Sequence, residues 1–203
     1  MVLILSRNEI STLRNGADIL LRQFLGLFGD LGIYVLSIFS ILIFFIVFLI
    51  QKKKWNVTDI KSKYLILMLF EGFLWGIVLY FFMLFSQNFF MFPSGKDLIS
   101  QVILSIGAGL YEEFVFRVLM ILLFTKLIKV IFLWNELLCL IISMFLSAIF
   151  FSYFHFIGPY GDPLSFSVFI YRFMGGIFLG VLYLLRGFGI TAYSHIIYNF
   201  III

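Results

Sequence analysis

Cysteine, proline, histidine and charge are all scarce in this sequence, and each shortage excludes something. The one cysteine, Cys139, sits in an apolar run, so there is neither a disulfide framework nor a cysteine metal cluster. The three prolines fall in turn-like segments, Pro93-Ser94-Gly95 and residues 158–163. Charged residues are 12% of the chain, against about 25% in a soluble domain, so the surface of a water-soluble protein cannot be built. The net charge of +4 is gathered in a few loops, which reads as an orientation signal for a membrane and not as a nucleic-acid patch. The opening MVLILSRNEIS lacks the basic–apolar–small order of a cleavable signal peptide, so the spans themselves are expected to direct insertion. There is no internal repeat and no low-complexity segment.

What is present is apolar bulk. Hydrophobic residues make up 64% of the 203 positions, and the mean hydropathy is +1.17. That length has room for roughly six spans with short loops. The expected fold is all-α: a polytopic transmembrane helix bundle of about six spans, occupying 32–203, preceded by an amphipathic segment over 1–31. The spans are expected at 32–50, 64–85, 98–124, 137–156, 164–185 and 188–203. Basic residues follow the first (Lys52, Lys53, Lys54, Lys61, Lys63), third (Lys126, Lys129) and fifth (Arg186) spans. The positive-inside rule places those loops in the cytoplasm and both termini outside. Gly175, Gly176 and Gly180 permit close helix contact on the fifth span. The 29 phenylalanines read as lipid-facing bulk.

Against this background the stretch 107–120, GAGLYEEFVFRVLM, stands out. It places Glu112, Glu113 and Arg117 inside an apolar run, where each charge costs on the order of 2.5–3.5 kcal/mol or more. Glu113 and Arg117 are four apart and share a helix face, so they can neutralise each other. Glu112 is rotated by about 100° and needs another polar neighbour. His155, His195 and Asn199 are the candidates. His195 and Asn199 lie one turn apart on the last span, and each alone would read as ordinary interhelical hydrogen bonding. Together, two carboxylates, an arginine, two imidazoles and an amide on three helices supply the parts of an acid–base hydrolytic site. Glu71 and Arg172, the other buried charges, read as structural and could pair with each other, with a substrate carboxylate as the alternative for Arg172.

Three patterns occur in order on successive helices: Glu112-Glu113-x-x-x-Arg117, Phe151-x-x-x-His155 and His195-x-x-x-Asn199. In that order they resemble the CPBP family of intramembrane proteases, over roughly 99–200. This family groups CAAX prenyl endopeptidases with bacterial abortive-infection-like and bacteriocin-immunity proteins. The resemblance implies that Glu112 activates water with help from His155, that His195 and Asn199 stabilise the oxyanion, and that Glu113–Arg117 is a supporting ion pair. It implies an intramembrane endopeptidase with no cofactor, acting on a peptide or membrane-protein substrate within the lipid bilayer, with no nucleic-acid partner, in a bacterial plasma membrane.

Three other readings compete. Two histidines and a glutamate suffice for zinc, although no His-Glu-x-x-His occurs. A non-catalytic immunity or scaffold protein could bind a peptide in the same cavity. A proton-coupled transporter would use buried Glu and His, but it would also show paired broken helices in two similar halves, and none is found.

Overall fold

The computed structural model describes residues 62–87, 105–157 and 163–202, together with Ile38, Leu42 and Phe45. The expected amphipathic segment 1–31, most of the first span, the Lys52–Lys54 cluster, the connection around Pro93 and nearly all of the turn at 158–163 lie outside the described residues. What is described is all helical. Helix α1 is Ser62–Gln87. Helix α2 is a continuous helical run over 105–132, in which Ala108–Glu112 and Phe114–Met120 are π-helical and Ile121–Phe132 is α-helical. Helices α3, α4 and α5 are Glu136–Phe154, Phe166–Arg186 and Phe188–Ile201.

Among the described residues, three helices are long and apolar enough to cross a membrane, over Lys63–Phe85, Glu136–Phe154 and Phe166–Arg186. Helix α5 has 14 residues, which at 1.5 Å per residue is about 21 Å, short of a hydrocarbon core of about 30 Å. The outward faces carry the large apolar side chains. Ile66, Phe70, Phe81 and Phe85 on α1 are all more than 60% exposed. Water would not tolerate that surface; lipid requires it.

One boundary differs from expectation. Helix α2 does not stop at Lys126 and Lys129 but runs on to Phe132, and Leu133 ends it in the left-handed region at φ 55°. Both lysines are exposed and favour helix, so their charged ends can reach outward without breaking the backbone ladder. Asn135 then opens α3, its Oδ1 accepting from the Leu138 amide at 2.8 Å.

Neighbouring contacts give the helix directions. Helices α2 and α3 form an antiparallel pair, joined at the turn by Lys129 and Glu136 at 3.1 Å. Helix α3 runs against α4, with Gly176 beside Ala148 and Gly180 beside Met144. Helix α1 is antiparallel to α4, with Leu79, Met83, Tyr171, Leu179 and Tyr198 forming the core between α1, α4 and α5. The Tyr171 and Tyr198 hydroxyls pair at 2.8 Å inside it. Along α5, Gly72 and Gly76 of α1 meet Tyr193 and Ile197 in parallel register. The five helices therefore alternate in direction, as the basic loops suggested. Gly175, Gly176 and Gly180 all sit at helix contacts, as their positions suggested, whereas the Gly72-x-x-x-Gly76 pair is an equally legible small-residue signal that our reading of the sequence passed over.

Only Gly187 separates α4 from α5, and it does so at φ 80°, ψ 178°. That backbone region is essentially reserved for glycine. A Cβ there would meet nothing within 4 Å, so a substitution tests backbone strain alone. We expect Gly187→Ala to destabilise the protein by about 1–3 kcal/mol, read as a lower melting temperature in detergent. An unchanged melting temperature would mean that this turn is not held at positive φ.

Candidate active site

The site begins with a distorted helix. The π-helical stretches of α2 bracket Glu113 and include Glu112 and Arg117. Their wider turns disturb the usual carbonyl ladder, and a neighbour makes use of this: the Ser147 hydroxyl of α3 donates to the carbonyl of Phe116. Gly109, one turn before the glutamates, lies against Ile196 and the Ala192 carbonyl of α5. That close approach carries the acidic turn of α2 up to the middle of α5.

Glu113 is 0% exposed and Arg117 1%. Arg117 Nε stands 3.0 Å from Glu113 Oε2, which is the ion pair that the spacing predicts. The two atoms are not aligned as donor and acceptor, so the attraction is of charge for charge and not a directed hydrogen bond. The rest of the guanidinium is held by other helices. Nη2 donates to the Gly176 carbonyl of α4 at 3.5 Å, and Cζ lies 4.5 Å from the centre of the Phe151 ring. Nη1 has no hydrogen-bond partner among the described residues.

The other carboxylate oxygen of Glu113 is taken from α5. His195 Nδ1 lies 2.8 Å from Oε1, and His195 is itself 6% exposed. The sequence offered His195, with His155 and Asn199, as a candidate to meet Glu112; its Nδ1 meets Glu113 instead. The close approach at Gly109 brings this part of α2 onto α5, and it is Glu113 that meets His195 there. Glu112 is 4% exposed, and among the described residues no hydrogen bond or ion pair reaches it.

Phe151 is the hub that joins the parts. Its ring makes edge contacts with Phe116 at 5.3 Å, His155 at 5.1 Å and His195 at 6.3 Å. His155 caps α3 one turn later, and its Nδ1 lies 2.8 Å from the Phe151 carbonyl. Asn199 follows His195 by one turn on α5 and is half-buried. Phe151 entered the sequence reading only as the first letter of Phe-x-x-x-His. An aromatic four residues before a histidine on one helix face is the signal that could have shown it as a packing centre. The Gly176 carbonyl had no such signal.

The second ion pair within the helices is partly exposed and joins other partners than expected. Glu71 pairs with Arg186, whose Nε and Nη2 each reach one carboxylate oxygen, and Trp75 Nε1 donates to Oε1 at 3.4 Å. Arg172 instead lies with its guanidinium 5.4 Å from the Phe156 ring. Antiparallel packing of α1 on α4 sets the outcome: Glu71, near the start of α1, meets the end of α4, and Arg172 is about 21 Å away along that helix at 1.5 Å per residue. Among the described residues, no three His, Cys, Asp or Glu side chains gather in a way that could hold a metal ion.

The sequence model of the family described as "Type II CAAX prenyl endopeptidase Rce1-like" matches residues 94–201. Among curated proteins and among solved structures, no match is found.

Arg117 holds the centre of this cluster, and its removal leaves Glu113 charged in an apolar interior. Breaking a buried pair in this way costs on the order of 3–5 kcal/mol. Arg117→Ala should therefore lower both yield and melting temperature. A variant with the melting temperature of the parent and altered kinetics alone would mark Arg117 as a group that meets the substrate.

Proposed function

The chain belongs to the Rce1-like family of type II CAAX prenyl endopeptidases, and from that membership we propose that it hydrolyses a peptide bond of a membrane-associated substrate with Glu112 as the base that activates water. Membership implies a CAAX-type intramembrane protease. The match is to the endopeptidase branch and lends no support to a role in bacteriocin immunity.

One observation carries the assignment of Glu112. Its neighbour Glu113 is engaged at both oxygens, by Arg117 and by His195. Glu112 is almost as deeply buried, yet among the described residues no hydrogen bond or ion pair ends on it, and Arg117 acts on it only through charge at longer range. A carboxylate at such a depth that no described side chain meets directly is costly, and function is the default explanation. In the proposed reaction Glu112 takes a proton from water as the oxygen attacks the carbonyl carbon. His155 assists in orienting that water. The tetrahedral intermediate places negative charge on the former carbonyl oxygen, where His195 and Asn199 donate hydrogen bonds. They stand one turn apart, about 6 Å along the axis, which suits two donors converging on one atom. The proton on Glu112 then passes to the amide nitrogen, the C–N bond breaks, and a carboxylic acid and an amine leave.

Glu112→Gln keeps the size of the side chain but cannot accept the proton. The purified variant in detergent should stay folded and lose turnover. Cleavage at the parent rate would show that another group is the base.

Asn199 gives an independent check. Losing one oxyanion donor costs roughly 10²–10³ in turnover, with little change in substrate affinity, because the bond strengthens mainly in the transition state. Asn199→Asp puts a carboxylate where negative charge develops and should be at least as damaging as Asn199→Ala. Activity retained in Asn199→Asp, together with a new dependence on added zinc, would make position 199 a metal ligand and overturn this mechanism.

A further inference from the structure

We propose that Glu113 is the positioning residue of His195: it holds the ring proton on Nδ1 and leaves Nε2 as the one nitrogen that can meet the reacting peptide. The inference rests on the reading of His195 as a site residue, and it assigns to Glu113 a task beyond that of supporting Arg117.

The geometry is directional. Oε1 of Glu113 and Nδ1 of His195 are 2.8 Å apart, a distance that requires one proton between them. Glu113 is the anion of an ion pair with Arg117 at 3.0 Å, and an ionised carboxylate only accepts. The proton therefore belongs to Nδ1. The ring is also hemmed in: the Phe151 ring stands 6.3 Å away at 71°, and Phe151 is itself covered by the Arg117 guanidinium at 4.5 Å. A ring flip would take Nδ1 away from the carboxylate and leave that oxygen buried without a donor.

The chemical consequence separates His195 from Asn199. The Asn199 amide carries N–H donors in every state. With Nδ1 protonated, Nε2 of a neutral ring is an acceptor and becomes a donor only when the ring takes a second proton. His195 can thus stabilise an oxyanion only as the imidazolium, whose charge the adjacent Glu113 carboxylate faces directly. As the neutral ring it instead accepts a proton. Carboxylate–histidine pairs in which the carboxylate sets the tautomer and the orientation work in the same way on unrelated folds. His155 is also anchored through Nδ1, but on the Phe151 backbone carbonyl. The His195 Nδ1 faces a carboxylate.

The scarcity of histidine makes the test direct. The full chain has two histidines, so ¹⁵N-histidine labelling in nanodiscs gives two ring systems, and His155→Asn assigns them. We expect His195 to carry its proton on Nδ1, whether the ring is neutral or cationic. A bare Nδ1 with the proton on Nε2 would overturn the proposal. The functional arm uses the double variant Glu113→Gln with Arg117→Met, which removes both charges and so strands neither. It should remain folded, lose the fixed Nδ1 proton signature, and fall in kcat by about 10²-fold or more with KM nearly unchanged. Parent turnover in the double variant would make Glu113 a partner of Arg117 alone and overturn the proposal. A failure of the protease reading is distinguishable: a parent chain that cleaves no peptide would still report the Nδ1 proton in the spectrum.

Discussion

A single buried carboxylate organises this protein. Glu113 is fully enclosed, in a position where an uncompensated charge would cost several kcal/mol. It must therefore be met at both oxygens, and the two groups that meet it come from different places: Arg117 from the next turn of α2 and His195 from α5. Arg117 in turn reaches the Gly176 carbonyl on α4 and the Phe151 face on α3. One charge on α2 thus ties together four helices that are otherwise held by apolar contact. In lipid, where apolar contact between helices gains little over contact with acyl chains, such a polar tie has unusual leverage over which helices become neighbours.

Small residues determine whether the tie can close. Gly109 lets α2 approach α5, and Gly176 lets α4 approach α3 while its carbonyl receives the arginine. The π-helical turns of α2 belong to the same design. They turn the Glu113 face toward α5 and loosen the backbone enough for Ser147 to bond the Phe116 carbonyl. Departures from regular α-helix of this sort recur at functional sites because they re-aim side chains that a regular helix would point elsewhere.

The buried charges divide by how completely they are satisfied. Glu71 and Arg186 form a two-pronged pair that is still partly open to its surroundings, 28% and 48% exposed. Partly exposed pairs of this kind add little stability. Glu113 and Arg117 are sealed. Glu112 is nearly sealed, and among the described residues no hydrogen bond or ion pair ends on it, so two adjacent glutamates stand in different surroundings.

Much of this was legible in the chain. Low charge and long continuous apolar runs point to helices in lipid, where each segment satisfies its own backbone, since a barrel strand would alternate apolar and polar residues. The four-residue spacing of Glu113 and Arg117 requires them to share a helix face, and the glycines of α4 mark its contacts. These are local properties, carried by composition and by helical period. Which glutamate meets His195, and which arginine meets Glu71, are not local. They depend on how far one helix slides and rotates against another, and that is decided by the glycine contacts and by the wider turns of α2. Sequence spacing describes a helix as a regular cylinder, so it could not see that π-helical turns bring Glu113 to His195, or that the antiparallel run of α1 on α4 places Glu71 beside Arg186 and far from Arg172. Those partners were chosen by the tertiary structure, since only a packed bundle sets the distances over which a charge can find its counterpart.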